Sequence, residues 1–185
     1  SSKLAGENYT YSYNKCFNLK TSTVRIFNNY GPRAHYKGDS GEIIPRSIVK
    51  ALYNESPVIF GDGMVTRDFF YVKDTAKVLS LLTNNEEIIG EIINIGTGVE
   101  ITMKYLLSSI LKEMDLSKKI PITYLKDRPA DVPRLWVNPL KFRNLIKYKL
   151  DTPFNIGLQE TINYYKELKS KGELTSDIEL INWKK

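Results

Sequence analysis

Two arginines in the sequence follow turn-forming segments and could bind a phosphorylated ligand. Arg67 comes soon after the glycine-rich turn at Gly61-Asp62-Gly63, and Arg128 lies in a proline-broken loop three residues before Asp131. A guanidinium can make two parallel hydrogen bonds to a phosphate, and two arginines together match the charge of a diphosphate. Two such arginines could therefore bind a diphosphate between them. The alternative is a pair of surface arginines in ordinary salt bridges, which stabilise a protein little.

Asn28 is a further candidate because it lies where a predicted strand ends. The β-branched run from Thr21 to Phe27 predicts a strand, and an asparagine-rich turn with Gly31-Pro32 follows it. Side chains at the carboxyl end of a strand contact ligands in α/β sheets. An amide can donate to a phosphate oxygen without changing its charge. A turn that binds no ligand explains this segment equally well.

Metal and disulfide chemistry are not expected. The chain has one histidine, His35, and one cysteine, Cys16, so it offers neither a Cys/His metal cluster nor an internal disulfide. We therefore expect no metal, a loop position for His35, and a reducing, cytoplasmic setting.

The formal net charge of +6 at pH 7 suggests an anionic partner, which could be nucleic acid or a diphosphate. The basic residues are spread along the chain, and their densest cluster, at 141–149, favours a solvated helix face. No nucleic-acid-binding signature is present, and no apolar run reaches the length that spans a bilayer. We expect neither nucleic acid nor a membrane as a partner.

Helical and extended patterns alternate along the chain, which predicts α/β architecture. Thr102 is the expected N-cap of the clearest helix, and the chain beyond Gly172 is expected to pack loosely. The predicted helices cover 2–17, 44–52, 74–82, 102–114, 139–146 and 158–168. The predicted extended segments are 21–27, 58–60, 68–72, 121–125 and a buried strand at 91–95.

A glycine-rich strand–turn–helix fingerprint for a dinucleotide is not found in these 185 residues. The glycines at 61–63 and 96–98 are spaced as turn signals instead. If the protein uses a dinucleotide cofactor, its main binding half is expected to lie outside this sequence.

Four stretches, in order along the chain, resemble the extended short-chain dehydrogenase/reductase family, in particular its sugar-nucleotide epimerases and dehydratases. The resemblance covers residues 1 to about 166. It implies the C-terminal part of a Rossmann-like doubly wound sheet plus a small α/β substrate-binding lobe, with the N-terminal cofactor-binding half absent from residues 1–185. The stretches are SSKLAGE at 1–7, RIFNNYGPR at 25–33, FGDG at 60–63 with TRDFFYV at 66–72 and Asp74, and RPAD at 128–131.

The first stretch resembles the second half of the Tyr-x-x-x-Lys helix of that family. The resemblance implies that Lys3 is the catalytic lysine, which binds the nicotinamide ribose and partners a tyrosine two residues before Ser1. One helical turn places such a pair on the same face, and a nearby ammonium lowers the pKa of a tyrosine. Without the other stretches, Lys3 is one exposed lysine among many.

The other stretches imply further site residues. Ile26 and Phe27 would border the nicotinamide, Asn28 would bind the diphosphate or sugar, and Asp131 would orient Arg128 or meet a ribose hydroxyl. Residues of the apolar segments would line the nucleotide base, although each also fits a position in the core. These residues are Ile43, Ile44, Val58 and Phe60.

The resemblance implies an NAD-dependent nucleotide-sugar epimerase, which takes a hydride from the sugar C4 and returns it to the opposite face; NADP is not excluded as the cofactor. A nucleotide-sugar 4,6-dehydratase is the close alternative, because it uses the same hydride step. A module that binds nucleotide sugars without catalysis is the alternative of another class. Since the tyrosine and the glycine-rich loop are missing from these residues, we expect them to be inactive alone. The resemblance is also compatible with a homodimer.

Overall fold

The computed structural model describes residues 2–38, 41–146 and 152–178. The chain forms two compact units whose segments alternate along the sequence. The first unit contains residues 1–29, 68–99 and 136–151, and the second contains residues 30–67, 100–135 and 152–185.

Both units combine helices with short strands, which confirms the α/β prediction. The helices are α1 (Ser2–Phe17), α2 (Ile43–Leu52), α3 (Val72–Thr83), α4 (Met103–Glu113), α5 (Leu140–Ile146) and α6 (Phe154–Ser170), with a 3₁₀ turn at Glu86–Ile88. The strands are β1 (Thr23–Ile26), β2 (Asn29–Tyr30), β3 (Val58–Phe60), β4 (Thr66–Arg67), β5 (Phe70–Tyr71), β6 (Ile92–Ile95), β7 (Ile101–Thr102), β8 (Thr123–Leu125) and β9 (Arg134–Leu135).

The core of the first unit lies on one face of the parallel pair β1–β6. Ile93 and Ile95 of β6 are fully buried and pack in one cluster with side chains of α3 and α5. Ile92 and Asn94 are exposed, because successive strand residues point to opposite faces. The prediction of a wholly buried strand is therefore wrong for the described residues: only one face of β6 is covered.

Helix α1 matches the predicted bounds but has no buried residue. Its side chains Tyr9 and Tyr13 are 69% and 49% exposed. Polar contacts attach the helix to the rest of the first unit, including a bond of 2.9 Å from Arg25 Nε to a Glu7 carboxylate oxygen. The position of α1 in this unit thus depends on polar contacts.

The second unit packs α2, α4 and α6 against one another. Thr102 caps α4 as predicted, because its hydroxyl accepts a hydrogen bond of 3.1 Å from Tyr105 N. The chain beyond Gly172 was expected to pack loosely, but residues 173–178 are less loose: Leu174 is 5% exposed, and its carbonyl accepts a hydrogen bond of 2.7 Å from the Tyr53 hydroxyl. Residues 179–185 lie outside the described part of the chain. The fully buried side chains of these three helices include Ile44, Ile48, Leu106, Leu107, Ile110 and Leu158.

Strand pairing in the second unit joins segments that are far apart in the sequence. Strands β3 and β8 run parallel, with Ile59 opposite Tyr124. Strand β4 lies between β7, which is antiparallel to it, and β9, which is parallel. No sequence pattern predicts β4, β7 or β9, because two-residue strands leave no periodicity.

Two kinds of feature are absent from the described part of the chain. None of its helices is long and apolar enough to cross a membrane. It also contains no group of three or more His, Cys, Asp or Glu side chains that could hold a metal ion.

Asp68 is a fully buried carboxylate in the first unit. It accepts hydrogen bonds from Thr97 N (2.9 Å), Thr97 Oγ1 (2.6 Å), Gly98 N (2.8 Å) and Val137 N (3.4 Å). A buried carboxylate is tolerated only when donors surround it. Gly96 permits the approach, because a Cβ there would lie 2.5 Å from Val137 Cγ1 and 2.9 Å from Asp68 Oδ2. Asp68 therefore joins the turn after β6 to the segment before α5.

Replacement of Asp68 by asparagine tests this role. The asparagine side chain would turn an NH₂ group towards N–H donors, so we expect Asp68→Asn to lower the free energy of unfolding in urea by about 2–4 kcal/mol. Asp115→Asn is the matched control, since Asp115 is exposed at φ +57°, where asparagine is also tolerated. Equal urea midpoints for the two variants would contradict the assignment.

Candidate functional site

The carboxyl ends of β3 and β8 bring two predicted site residues together. The strands are parallel, so Phe60 and Leu125 end at the same edge. In the loop that follows β8, the guanidinium carbon of Arg128 lies 4.5 Å from the ring centroid of Phe60. This is a cation–π contact, and it fixes the plane of the guanidinium.

Gly61 lets the two loops at this edge approach each other. Its φ is +76°, and a Cβ at this position would lie 2.1 Å from an Asp127 carboxylate oxygen. A side chain at position 61 would therefore both strain the backbone and displace the loop that carries Arg128.

Arg67 is held by the loop that precedes β9. Its Nη2 donates to Asp131 Oδ1 at 2.6 Å, and its Nη1 donates to the carbonyls of Val132 and Thr66, both at 2.7 Å. The side chain of Arg67 is 17% exposed. The resemblance implies that Asp131 orients Arg128 or meets a ribose hydroxyl, and the structure adds a bond from Arg67 to Asp131, because the parallel pairing of β4 with β9 brings this loop beside β4.

Arg128 lies in a positively charged environment. Burial lowers the pKa of Arg128; Asp131 raises it again, and the like charges of Arg46 and Arg67 lower it further. Arginine stays charged despite such a shift. The half-buried guanidinium of Arg128 is thus within electrostatic range of two other arginines and one carboxylate.

Arg46 is a charged neighbour of a predicted site residue. It lies three residues after Ile43 on α2, so the two side chains share a face of the helix.

The residues proposed to line the nucleotide base differ in how far their side chains are buried. Ile44 is 1% exposed and packs in the core, which is the other position that the sequence allowed for it. Ile43, Val58 and Phe60 are half-buried, so part of each side chain can contact a ligand.

The remaining predicted residues belong to the first unit. Lys3 is exposed on α1, and Ile26 is 37% exposed at the end of β1. Phe27 is half-buried, and its N–H donates to Ile95 O at 2.9 Å. Asn28 follows, and its Nδ2 donates to the backbone carbonyl of Asp68 at 3.0 Å. This hydrogen bond orients the side-chain amide of Asn28.

Glu100 braces the strand that carries Arg67. One of its oxygens accepts hydrogen bonds from Thr66 Oγ1 at 2.5 Å and from Arg134 Nε at 2.9 Å. Thr66 belongs to β4, Arg134 belongs to β9, and Glu100 directly precedes β7, so these hydrogen bonds connect the three strands. Hydrogen bonds from Arg134 first and Thr66 second lower the pKa of Glu100 to about 2.

Comparison with known proteins gives matches over most of the chain. Residues 1–161 match the family model described as GDP-mannose 4,6 dehydratase. The chain is 36% identical over 165 residues to a putative UDP-glucose 4-epimerase of Methanocaldococcus jannaschii, covering 89% of this chain and 52% of that protein. It is 28% identical over 181 residues to a dTDP-glucose 4,6-dehydratase of Neisseria gonorrhoeae, covering 92% of this chain and 51% of that protein.

Solved structures give the same result. A UDP-glucuronic acid 4-epimerase from Bacillus cereus, in complex with UDP-glucuronic acid and NAD, superposes with a TM-score of 0.80 at 30% identity. The match covers 89% of this chain and 51% of that one. The chain therefore spans about half the length of the proteins it resembles.

The lowered pKa of Glu100 predicts how stability depends on pH. Because the folded-state pKa lies near 2, below the ordinary 4.5, the stabilising contribution is complete above pH 4.5 and is lost as the pH falls towards 2. We expect Glu100→Gln to lower Tm most near neutral pH and least near about pH 2 in thermal denaturation. Glu113→Gln, on an exposed residue of α4, is the control. A Tm difference that does not change with pH would contradict the assignment.

Proposed function

The chain belongs to the GDP-mannose 4,6 dehydratase family, within the extended short-chain dehydrogenases/reductases, and we propose that it provides the substrate-binding part and the catalytic lysine of an NAD-dependent nucleotide-sugar epimerase. The reaction takes a hydride from the sugar C4 and returns it to the opposite face. The observation that carries the proposal is the cluster formed by Arg67, Asp131, Arg128 and Phe60, which combines positive charge with an aromatic surface.

Contacts within the second unit hold Arg67 and Arg128, the two arginines of the proposed diphosphate clamp. Arg67 is held by a carboxylate and two carbonyls, and Arg128 is stacked on Phe60. Side chains that are already ordered lose little conformational entropy on binding, which favours affinity. Charges that are half-buried also attract a diphosphate more strongly than charges in water do.

The salt-bridge alternative accounts for only part of this arrangement. Arg67 does form an ion pair with Asp131, but its side chain is only 17% exposed. The guanidinium carbon of Arg128 lies 4.5 Å from the ring centroid of Phe60, a contact that a surface ion pair does not explain. The salt-bridge alternative therefore explains the contacts of Arg67 with Asp131 but not those of Arg128 with Phe60.

The residues that the first unit exposes are suited to binding NAD. An exposed lysine on α1 and two apolar side chains at the end of β1 supply a cation for ribose hydroxyls and a surface for a nicotinamide ring. We assign Lys3 to the ribose, Ile26 and Phe27 to the nicotinamide, and Asn28 to the diphosphate or sugar. When bound, NAD accepts the hydride and gives it back. The same residues would accept NADP.

The two units have different parts in the proposal. We assign the first unit to the Rossmann-like sheet and the second to the substrate-binding lobe. The alternation of their segments along the chain supports this assignment. In this scheme the second unit binds the nucleotide diphosphate.

A 4,6-dehydratase is the second candidate, because a dTDP-glucose 4,6-dehydratase matches over 92% of the chain. Both enzymes begin with hydride removal at C4. The sugar product distinguishes them: an epimer in one case and a 4-keto-6-deoxy sugar in the other. The non-catalytic alternative can be tested with a protein that also contains the other half of its relatives' length. If that protein binds nucleotide sugars but forms neither product, the binding module is supported.

Arginine replacements test the clamp by calorimetry with UDP-glucose and dTDP-glucose. A charge-assisted hydrogen bond contributes about 1.5–3 kcal/mol, so we expect Arg128→Ala and Arg67→Ala each to weaken binding about 10- to 100-fold.

Lys118→Ala, on an exposed residue of the same unit, is the control for lost positive charge. Urea midpoints measured for every variant separate lost binding from lost folding. Undiminished affinity in Arg128→Ala would reject the clamp.

A further inference from the structure

Helix α1 carries Lys3 and has no buried residue, so burial of apolar side chains does not fix its position. Its C-terminal half is held by the residues that follow it. Thr21 Oγ1 donates to Thr10 O at 3.0 Å, and Asn14 Nδ2 donates to Leu19 O at 2.9 Å. These contacts begin about two helical turns after Lys3. The first turns of the helix therefore need a contact of their own.

Arg25 provides this contact from strand β1. Its Nε donates to Glu7 Oε2 at 2.9 Å, and its Nη2 donates to Glu7 Oε1. The pair is thus bidentate, which is the geometry in which an ion pair near the surface contributes most. The side chain of Glu7 is only 13% exposed. Hydrogen bonds from Arg25 lower the pKa of Glu7, so this carboxylate stays ionised at neutral pH.

The backbone of Arg25 is fixed by the parallel sheet. Strand β1 pairs with β6, and Arg25 lies opposite Asn94. Val24 packs against the core cluster on one face of the pair, whereas Asn94 is exposed on the other. Because successive strand residues point to opposite faces, Arg25 lies on the face away from the core. The ion pair therefore attaches α1 to that face.

The ion pair joins the two parts of the proposed NAD site. Glu7 lies four residues after Lys3, so one helical turn places both side chains on the same face of α1. Arg25 directly precedes Ile26 and Phe27, which we assign to the nicotinamide. The pair therefore links the turn next to Lys3 to the strand end that is assigned to the nicotinamide.

We propose that Arg25 and Glu7 are positioning residues, whose ion pair sets the separation between Lys3 and the apolar side chains Ile26 and Phe27. This inference rests on the proposed function, in which Lys3 binds the nicotinamide ribose. The nicotinamide and its ribose are directly bonded to each other, so the groups that contact them must keep a fixed separation. A displacement of about 1 Å can lower the rate of an enzyme about 100-fold.

A double-mutant cycle tests the inference in a protein that also contains the other half of its relatives' length. The variants are Arg25→Gln, Glu7→Gln and the two together. With UDP-glucose and dTDP-glucose, we expect each single variant to lower kcat about 10- to 100-fold and to change KM less than about 3-fold. KM should change little because the diphosphate clamp belongs to the second unit. The double variant should lose no more than a single one, because two residues that act as a unit are not additive.

Protection of Lys3 by NAD is a second measurement, which does not depend on turnover. A cofactor bound at Lys3 shields its amine from acetylation, and peptide mass spectrometry measures the extent of the reaction. We expect NAD to protect Lys3 in the unmodified protein and to lose most of this protection in Arg25→Gln. Arg25→Lys should retain part of it, because lysine keeps the charge but not the bidentate geometry.

Lys141→Gln is the matched control, because it breaks an exposed ion pair of 2.6 Å with Glu91 in the same unit. Urea midpoints for every variant separate a misplaced lysine from lost folding. If the unmodified protein converts neither nucleotide sugar, the proposed function fails and the inference falls with it. If that protein is active but Arg25→Gln and Glu7→Gln behave like Lys141→Gln, the inference alone is overturned.

Two further results would also overturn the inference. One is a set of losses that multiply in the double variant, and the other is a lower kcat with undiminished protection of Lys3. If Arg25→Gln does not fold, Glu7→Gln and Arg25→Lys decide. Lower kcat together with weaker protection of Lys3 supports the inference, and values equal to those of the unmodified protein overturn it.

Discussion

Parallel pairing between strands that are distant in the sequence is the constraint on which both units depend. Parallel strands place their carboxyl ends at one edge, so the loops that follow them must meet there. In the first unit, β1 and β6 end beside each other. In the second unit, β3 and β8 do the same, and this brings Phe60 to Arg128. The candidate site residues are therefore neighbours because of strand direction.

The two units hold their key carboxylates in different ways. Asp68 is fully buried and is surrounded mainly by neutral N–H donors, which fixes three segments of backbone. Asp131 is paired with Arg67 near the surface. The first arrangement provides rigidity without involving a cation. The second keeps Arg67 in place through an ion pair, together with hydrogen bonds to two backbone carbonyls.

The similarity to epimerases and dehydratases alike has a chemical explanation within the proposal. Under the proposal, the assigned residues would bind the features that both substrate classes share, which are a nucleotide, a diphosphate and a sugar that gives up a hydride. The chain spans about half the length of these relatives. Dehydration differs from epimerisation because it needs an additional acid and an additional base to eliminate water.

Several features follow from the sequence alone, because local patterns specify them. Local patterns predict the one-sided apolar stripe of α4, its Thr102 cap, and the bounds of α1 and β3. The motifs that contain Arg67 and Arg128 are contiguous in the sequence. Only the tertiary structure gave strands β4, β7 and β9 and the bond between Arg67 and Asp131. These features depend on pairing between segments that are distant in the sequence, such as those that contain Arg67 and Leu135. Periodicity and spacing do not record such pairings, because they arise only when the strands meet.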